Sequence, residues 1–158
     1  MATPTALSSS MTQAIELLES LNTLLMVERT ALKDRDTANI KSLLEQKTGL
    51  LKELEANATQ RSQLLTQSGF NGDEQGMNAY LESLPATASA LINQWQILKD
   101  KLLSCKEANQ INGSIVNRSR AQVESLLNIM RGQSGTQKIY TGAGKSSLVG
   151  GGHSLAKA

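Results

Sequence analysis

The stretch TGAGKSS at residues 141–147 has the residue types of a phosphate-cradling loop. A P-loop needs G-x-x-x-x-G-K-[ST], follows a buried strand and opens a helix whose amides hold the anion. The position six residues before Lys145 is Ile139, not glycine, and the SSLVGGGH that follows cannot hold a helix. Nucleotide binding is not expected. His153, the one histidine, sits between Gly152 and Ser154 in the same glycine-rich segment. Cys105 is the one cysteine, so no intrachain disulfide can form, which suits a reducing compartment. It falls on an apolar helical seam, where packing is the expected role. Carboxylates stand at helical spacing from lysines, as in Lys41/Glu45 and Lys52 with Glu53 and Glu55. Such spacing belongs to solvated helix faces. No nucleophile–base pair or metal-ligand cluster meets the geometric needs of an active site, so no enzyme, cofactor or metal is expected.

The elements that carry these residues are helices. Leu, Ala, Gln, Ser, Lys and Glu dominate; Phe70, Tyr80, Trp95 and Tyr140 are the only aromatics, and Pro4 and Pro85 the only prolines. That composition favours long helices with a narrow leucine core. Residues 1–67 carry 7 basic and 8 acidic groups, residues 68–131 carry 6 and 6, and residues 132–158 carry 3 and none. The net charge of +2 is too small to argue for nucleic acid or a membrane surface. No apolar run approaches the roughly 20 residues that cross a bilayer, and the N-terminal MATPTALSSSM is not a signal peptide. A cytoplasmic protein is expected.

Residues 1–9 read as a loose start, with Ser10-Met11-Thr12-Gln13 as a capping box opening the first helix. Its inward stripe runs Met11, Ala14, Leu18, Leu21, Leu25, Glu28, Leu32, the seam of a coiled coil, and it frays near Asp34-Arg35-Asp36. Asp36 or Thr37 caps a second helix with the stripe Ile40, Leu43, Lys47, Leu50, Leu54, Asn57, Arg61, Leu64, flanked by Leu44, Leu51, Ala58 and Leu65. Ser68-Gly69 ends it, Asn71-Gly72 turns, and Asp73 caps a short helix with Met77, Tyr80, Leu81 and Leu84. Pro85 suits the first turn of a third long helix. From Leu84 through Ala88, Leu91, Trp95, Leu98, Leu102, Cys105, Asn109, Asn112, Val116, Ser119, Val123, Leu126 and Met130 the spacing alternates four and three. That run predicts a helix of about 46 residues, about 70 Å long, which Gly113 could bend. Arg131-Gly132 ends it; the 27 residues from Gly132 hold seven glycines and almost no periodicity, the mark of a tail.

The first two helices are joined too tightly to run other than antiparallel. An index sum of 75 then faces Leu32 with Leu43, Leu25 with Leu50, Leu21 with Leu54, and Glu28 with Lys47. These two charges interrupt the apolar stripes with opposite signs, so they are expected to meet and to set register more than stability; the alternative is that both lean out to water. Asn109 and Asn112 lie on the third helix's seam, where polar residues fix register or oligomer state, unless the seam drifts outward there. The third helix outruns the hairpin arms, which span about 38–45 Å. Part of it must project, bend or find a partner. The apolar stripe of Ile111, Ile115, Val116, Val123, Leu126, Leu127, Ile129 and Met130 is therefore a candidate interaction surface.

Four stretches also resemble a known family. LNTLLMVERTALKDRD at 21–36 and IKSLLEQKTGLLKELE at 40–55 resemble the first two helices of FlgN-type flagellar export chaperones, with Glu28, Asp36 and Lys47 at the punctuating positions. NQINGSIV at 109–116 resembles the asparagine–glycine segment late in that family's last long helix. IYTGAGK at 139–145 resembles its closing tyrosine–glycine motif, with Ala143 where the family usually has an acidic or polar residue. The resemblance covers about two-thirds of the chain. It implies a chaperone that grips the C-terminal helical segments of hook-associated flagellar proteins (FlgK/FlgL type), prevents premature assembly and escorts them to the flagellar type III export gate. It implies that Tyr140 assists contact with the export gate; its neighbours Lys138 and Lys145 favour an acidic partner.

The expected class is all-α: an antiparallel coiled-coil-like bundle of three long helices plus a short helix, with a flexible C-terminal tail. Residues 1–131 form the bundle domain and 132–158 the glycine-rich tail. The expected partner-binding residues are Ile111, Ile115, Val116, Val123, Leu126, Leu127, Met130, Ile139 and Tyr140. A homodimer is possible; nucleic acid and membrane insertion are not expected. The alternative from another class is a structural coiled-coil or self-assembling helical adaptor, using the same stripe on itself.

Overall fold

Thr3-Pro4 starts the first helix. The Thr3 Oγ1 accepts from the Ala6 N–H at 3.1 Å, and Pro4 takes the first helical position, where its missing N–H costs nothing. The structure is a computed structural model. It describes residues 3–131, apart from the side chains of Ser119, Arg120 and Gln122, and the backbone of residues 136–140 and 146–150. Helix α1 spans Pro4–Asp34, so the expected start at Ser10 is corrected: Leu7 and Met11 are both fully buried, and a helix is the conformation that brings them to one face. Ser10 lies inside the helix, its Oγ buried with no hydrogen-bond partner. Thr3→Ala should thus cost about 1 kcal/mol in urea unfolding, while Ser10→Ala should be neutral or mildly stabilising. The reverse order would restore the later start.

Arg35, in the left-handed region at φ 55°, closes α1, and the Asp36 N–H returns to the Ala31 carbonyl at 3.0 Å. The Asp36 side chain then accepts from the Asn39 N–H at 3.2 Å and opens α2, Thr37–Gln67. Ser68 and Gly69, the latter at φ 84°, end that helix. Asp73 caps the short helix α3, Glu74–Glu82, through the Gly76 N–H at 2.8 Å. Pro85 precedes a single 3-10 turn, Ala86–Ala88, instead of entering the first turn of the long helix directly. Helix α4 is Ser89–Met130, 42 residues against 31 for each arm of the hairpin. In the tail two short strands, β1 (Thr136–Tyr140) and β2 (Ser146–Gly150), pair antiparallel, with Lys138 opposite Leu148. The expectation of a flexible tail otherwise falls on residues outside those described.

The chain divides into two compact units, Met1–Asn112 and Gly113–Ala158. In the first, long-range bonds give the direction of α4. Ser8 bonds Gln94, Cys105 bonds the Leu18 carbonyl and Asn112 bonds the Leu25 carbonyl, at index separations of 86, 87 and 87. A constant difference means parallel helices, so α4 runs with α1. Between α2 and α4 the index sum stays at 156, for Lys47 with Asn109 and for Arg61 over Trp95. A constant sum means antiparallel. This part of the molecule is an up–down–up bundle.

The core gathers around α1. Leu7, Met11, Leu18 and Leu25 are completely buried, each worth about 1.5–3 kcal/mol over an exposed side chain. Leu65 from α2, Met77, Tyr80 and Leu81 from α3, and Leu91, Leu98, Cys105 and Ala108 from α4 close over them. Phe70 meets Tyr80 edge to face at 5.4 Å. The seam of α4 departs from the expected one. Leu91, Leu98, Cys105 and Asn112 point inward as foreseen, but Leu102 and Asn109 are exposed, while Ala108 is buried and Lys101 half-buried. The helix is rotated toward α1, the main supplier of apolar surface. An untwisted α-helix also drifts about 20° per heptad from a strict seven-residue repeat.

Candidate partner-binding surface

Two polar clusters fix how α4 sits in the first unit. The upper one is built on Glu28, which stands at a core position of α1 and is 7% exposed. Lys47 of α2 reaches its two carboxylate oxygens at 3.3 and 3.5 Å, the pairing expected from the hairpin register. The same ammonium donates to Asn109 Oδ1 on α4 at 2.6 Å. Asn112, 2% exposed, donates through Nδ2 to the Leu25 carbonyl at 2.8 Å and to Glu28 Oε1 at 2.9 Å. Its Oδ1 accepts from Arg29 Nε at 3.1 Å. Asn112 therefore faces inward, and one carboxylate ties all three helices. An apolar residue at 112 would fit several rotations of α4; the amide fits one.

The lower cluster is centred on Asn57, also buried. It donates to the Ser10 carbonyl at 2.9 Å and to Gln13 Oε1 at 3.1 Å, and accepts from Arg61. The Arg61 guanidinium then lies 5.9 Å from the centre of the Trp95 ring, and Lys99 lies 5.7 Å from it. Sequence reading placed Asn57 and Arg61 on the α2 stripe but gave them no partners. Cys105 is buried, its Sγ donating to the Leu18 carbonyl at 3.3 Å. Burial pushes its thiol up from the ordinary value, against a smaller lowering by Lys101. This is a packing cysteine, not a reactive one.

Seven of the expected partner-binding residues lie on α4. Ile111, in the first unit, is exposed. In the second unit Val116, Val123, Leu126, Leu127, Ile129 and Met130 are all exposed, Leu126 at 60% and Met130 at 82%; Ile115 is half-buried. At 100° per residue the second-unit positions from Ile115 to Met130 fall within an arc of about 160° on one side of the helix. Val116, Val123, Leu127 and Met130 form one edge of that arc; Ile115, Leu126 and Ile129 form the other. Arg118 and Glu124 are exposed on the same helix. Ile139 and Tyr140 lie on β1, opposite Ser147 and Ser146; their side chains are outside the described residues, as are Lys145 and His153.

Among the described residues no group of three or more His, Cys, Asp or Glu could hold a metal ion, and no helix is long and apolar enough to cross a membrane. The fold is a helical bundle whose buried polar clusters set the packing of α4 in the first unit; in the second unit the same helix exposes apolar side chains. The FlgN protein family matches residues 1–147, nearly the whole chain, and the chain belongs to that family of flagellar chaperones. Among solved structures it is similar to a protein described as a flagella synthesis protein, FlgN, from Pseudomonas aeruginosa. The two are 31% identical with a TM-score of 0.63, over 80% of this chain and 96% of that one. Comparison with functionally curated proteins finds no match.

Proposed function

We propose that this chain is a cytoplasmic export chaperone without catalytic activity. It binds the C-terminal helical segments of hook-associated flagellar proteins of the FlgK/FlgL type, prevents their premature assembly and delivers them to the flagellar type III export apparatus. The observation that carries this reading is the exposed apolar arc of α4. Six large apolar side chains in the span 116–130 stand in solvent. An amphipathic client helix can cover them with its own apolar face. The principal contacts are Val116, Val123, Leu126, Leu127 and Met130, with Ile115 at the near end. Family membership supports the flagellar context. Binding through one helix face, without a deep pocket, suits a client that must be released at the gate.

Val123→Asp combined with Leu126→Asp should weaken a C-terminal peptide of the client by about tenfold in a fluorescence titration, with unchanged thermal unfolding. Undiminished binding would remove the assigned surface. In the tail, Ile139 and Tyr140 are assigned to contact with the export gate, where a tyrosine offers apolar area with a polar tip. Tyr140→Ala should lower client export in cells while leaving client binding in solution intact; normal export would end that assignment.

A further inference from the structure

An open groove of about 940 Å³ runs between α1 and α2, sharing no residue with the α4 surface. Leu24, Val27, Leu43 and Leu50 give it an apolar floor; Glu16, Glu19 and Glu53 line it as well, and no lysine, arginine or histidine does. The antiparallel register separates these two characters. With an index sum of 75, Leu43 falls opposite residue 32 and Glu53 opposite residue 22, so the carboxylates gather toward the Glu16 end. Glu19 already pairs with Lys101 at 3.1 Å, whereas Glu16 and Glu53 have no ion-pair partner among the described residues. Gly49 lines the groove, and a side chain there would project into open space, since a Cβ would meet nothing within 4 Å. It also stands in the interior of α2, where glycine costs helix stability.

We propose that this groove docks a cationic amphipathic helix of a partner protein. Its apolar side chains seat on Leu24, Val27, Leu43 and Leu50, and its lysines or arginines, about one to two turns away, face Glu16 and Glu53. Charge complementarity selects this occupant. An anionic segment would bring like charges onto two unpaired carboxylates, whereas a cationic one neutralises them and is steered to the site. The surface shares no residue with the α4 arc and is independent of the client-binding reading.

The full chain would be titrated with a fluorescent helical peptide of about 18 residues, with leucines on one face and lysines on that same face one to two turns further along. The control is the same peptide with glutamate for lysine. The lysine peptide should bind saturably and lose affinity with salt, and the glutamate peptide should bind about tenfold more weakly. Gly49→Leu, which fills the groove while improving helix propensity, should weaken the lysine peptide about tenfold, as should the pair Glu16→Lys and Glu53→Lys. Circular dichroism melts of Gly49→Leu should lie at or above the parent's, and those of the charge-reversed pair should match it. Val123→Asp with Leu126→Asp should bind the lysine peptide normally. Equal affinity for the two peptides, indifference to the groove substitutions, or loss of binding in the α4 variant would overturn the proposal. So would self-association abolished by Gly49→Leu in a protein that ignores the lysine peptide.

Discussion

Glu28→Leu should lower the unfolding free energy by about 2 kcal/mol, although leucine suits a core position better than glutamate. The reason is what the carboxylate leaves behind. Lys47 loses contacts at 3.3 and 3.5 Å and keeps only Asn109, while the Asn112 Nδ2 loses its 2.9 Å acceptor and keeps only the Leu25 carbonyl. Breaking one side of a fully buried pair costs about 3–5 kcal/mol. The Lys47 side chain is 18% exposed, so water recovers part of that. Adding Lys47→Met should restore most of the loss, because the stranded ammonium is then gone. A double-mutant cycle over Glu28 and Lys47 in urea unfolding measures the coupling. Additive losses would mean that the pair contributes nothing beyond its separate side chains.

Gly76→Ala should have a larger effect, about 3 kcal/mol, from a single added methyl group. A Cβ at Gly76 would fall on the Asn71 backbone, clashing with its carbonyl oxygen, carbonyl carbon and Cα. No side chain can rotate away, so either the 68–73 turn or the start of α3 must move. Helix α3 carries Met77, Tyr80 and Leu81 into the core, and the Asp73 cap depends on the Gly76 N–H. A shift of the turn thus loosens packing as well as capping. Reduced stability together with loss of the Phe70–Tyr80 contact, read by the tyrosine's fluorescence or aromatic NMR shifts, is the expected pair of results. Unchanged stability would mean that the turn can yield freely. In an exposed helix the same substitution would stabilise by up to about 1 kcal/mol, so even its sign reports the close approach.

Both substitutions lie where the packing of distant segments decides the outcome. The Glu28–Lys47 contact was legible beforehand, since a tight turn and two apolar ladders leave one antiparallel register. Gly76 carried no such signal, because nothing near it in sequence announces that Asn71 folds back against it. The start of α1 was misread for a different reason. Thr3-Pro4 and Ser10–Gln13 are both acceptable starts, and the choice rests on burial of Leu7 against residues far along the chain. The candidate surface was legible as a run of excess apolar residues from 111 to 130; that they are exposed is a property of the folded chain. The groove between α1 and α2 was not read at all. Leu43 and Leu50 stand on the expected α2 stripe and Glu53 on a solvated face, while Leu24, Glu16 and Glu19 carry no expectation.

Short-range physics in the sequence determined the helices, the Asp36 and Asp73 caps, the Ser68-Gly69 end of α2 and the antiparallel hairpin, because each depends on residues within a few turns or on one tight connection. Tertiary structure alone decided that α4 runs parallel to α1, that it turns Ala108 rather than Asn109 inward, and that Asn112 closes on Glu28. A leucine stripe can pack against a neighbour in either direction with little difference in buried area. Direction and rotation are chosen by the few polar groups that must find partners across 87 residues of chain.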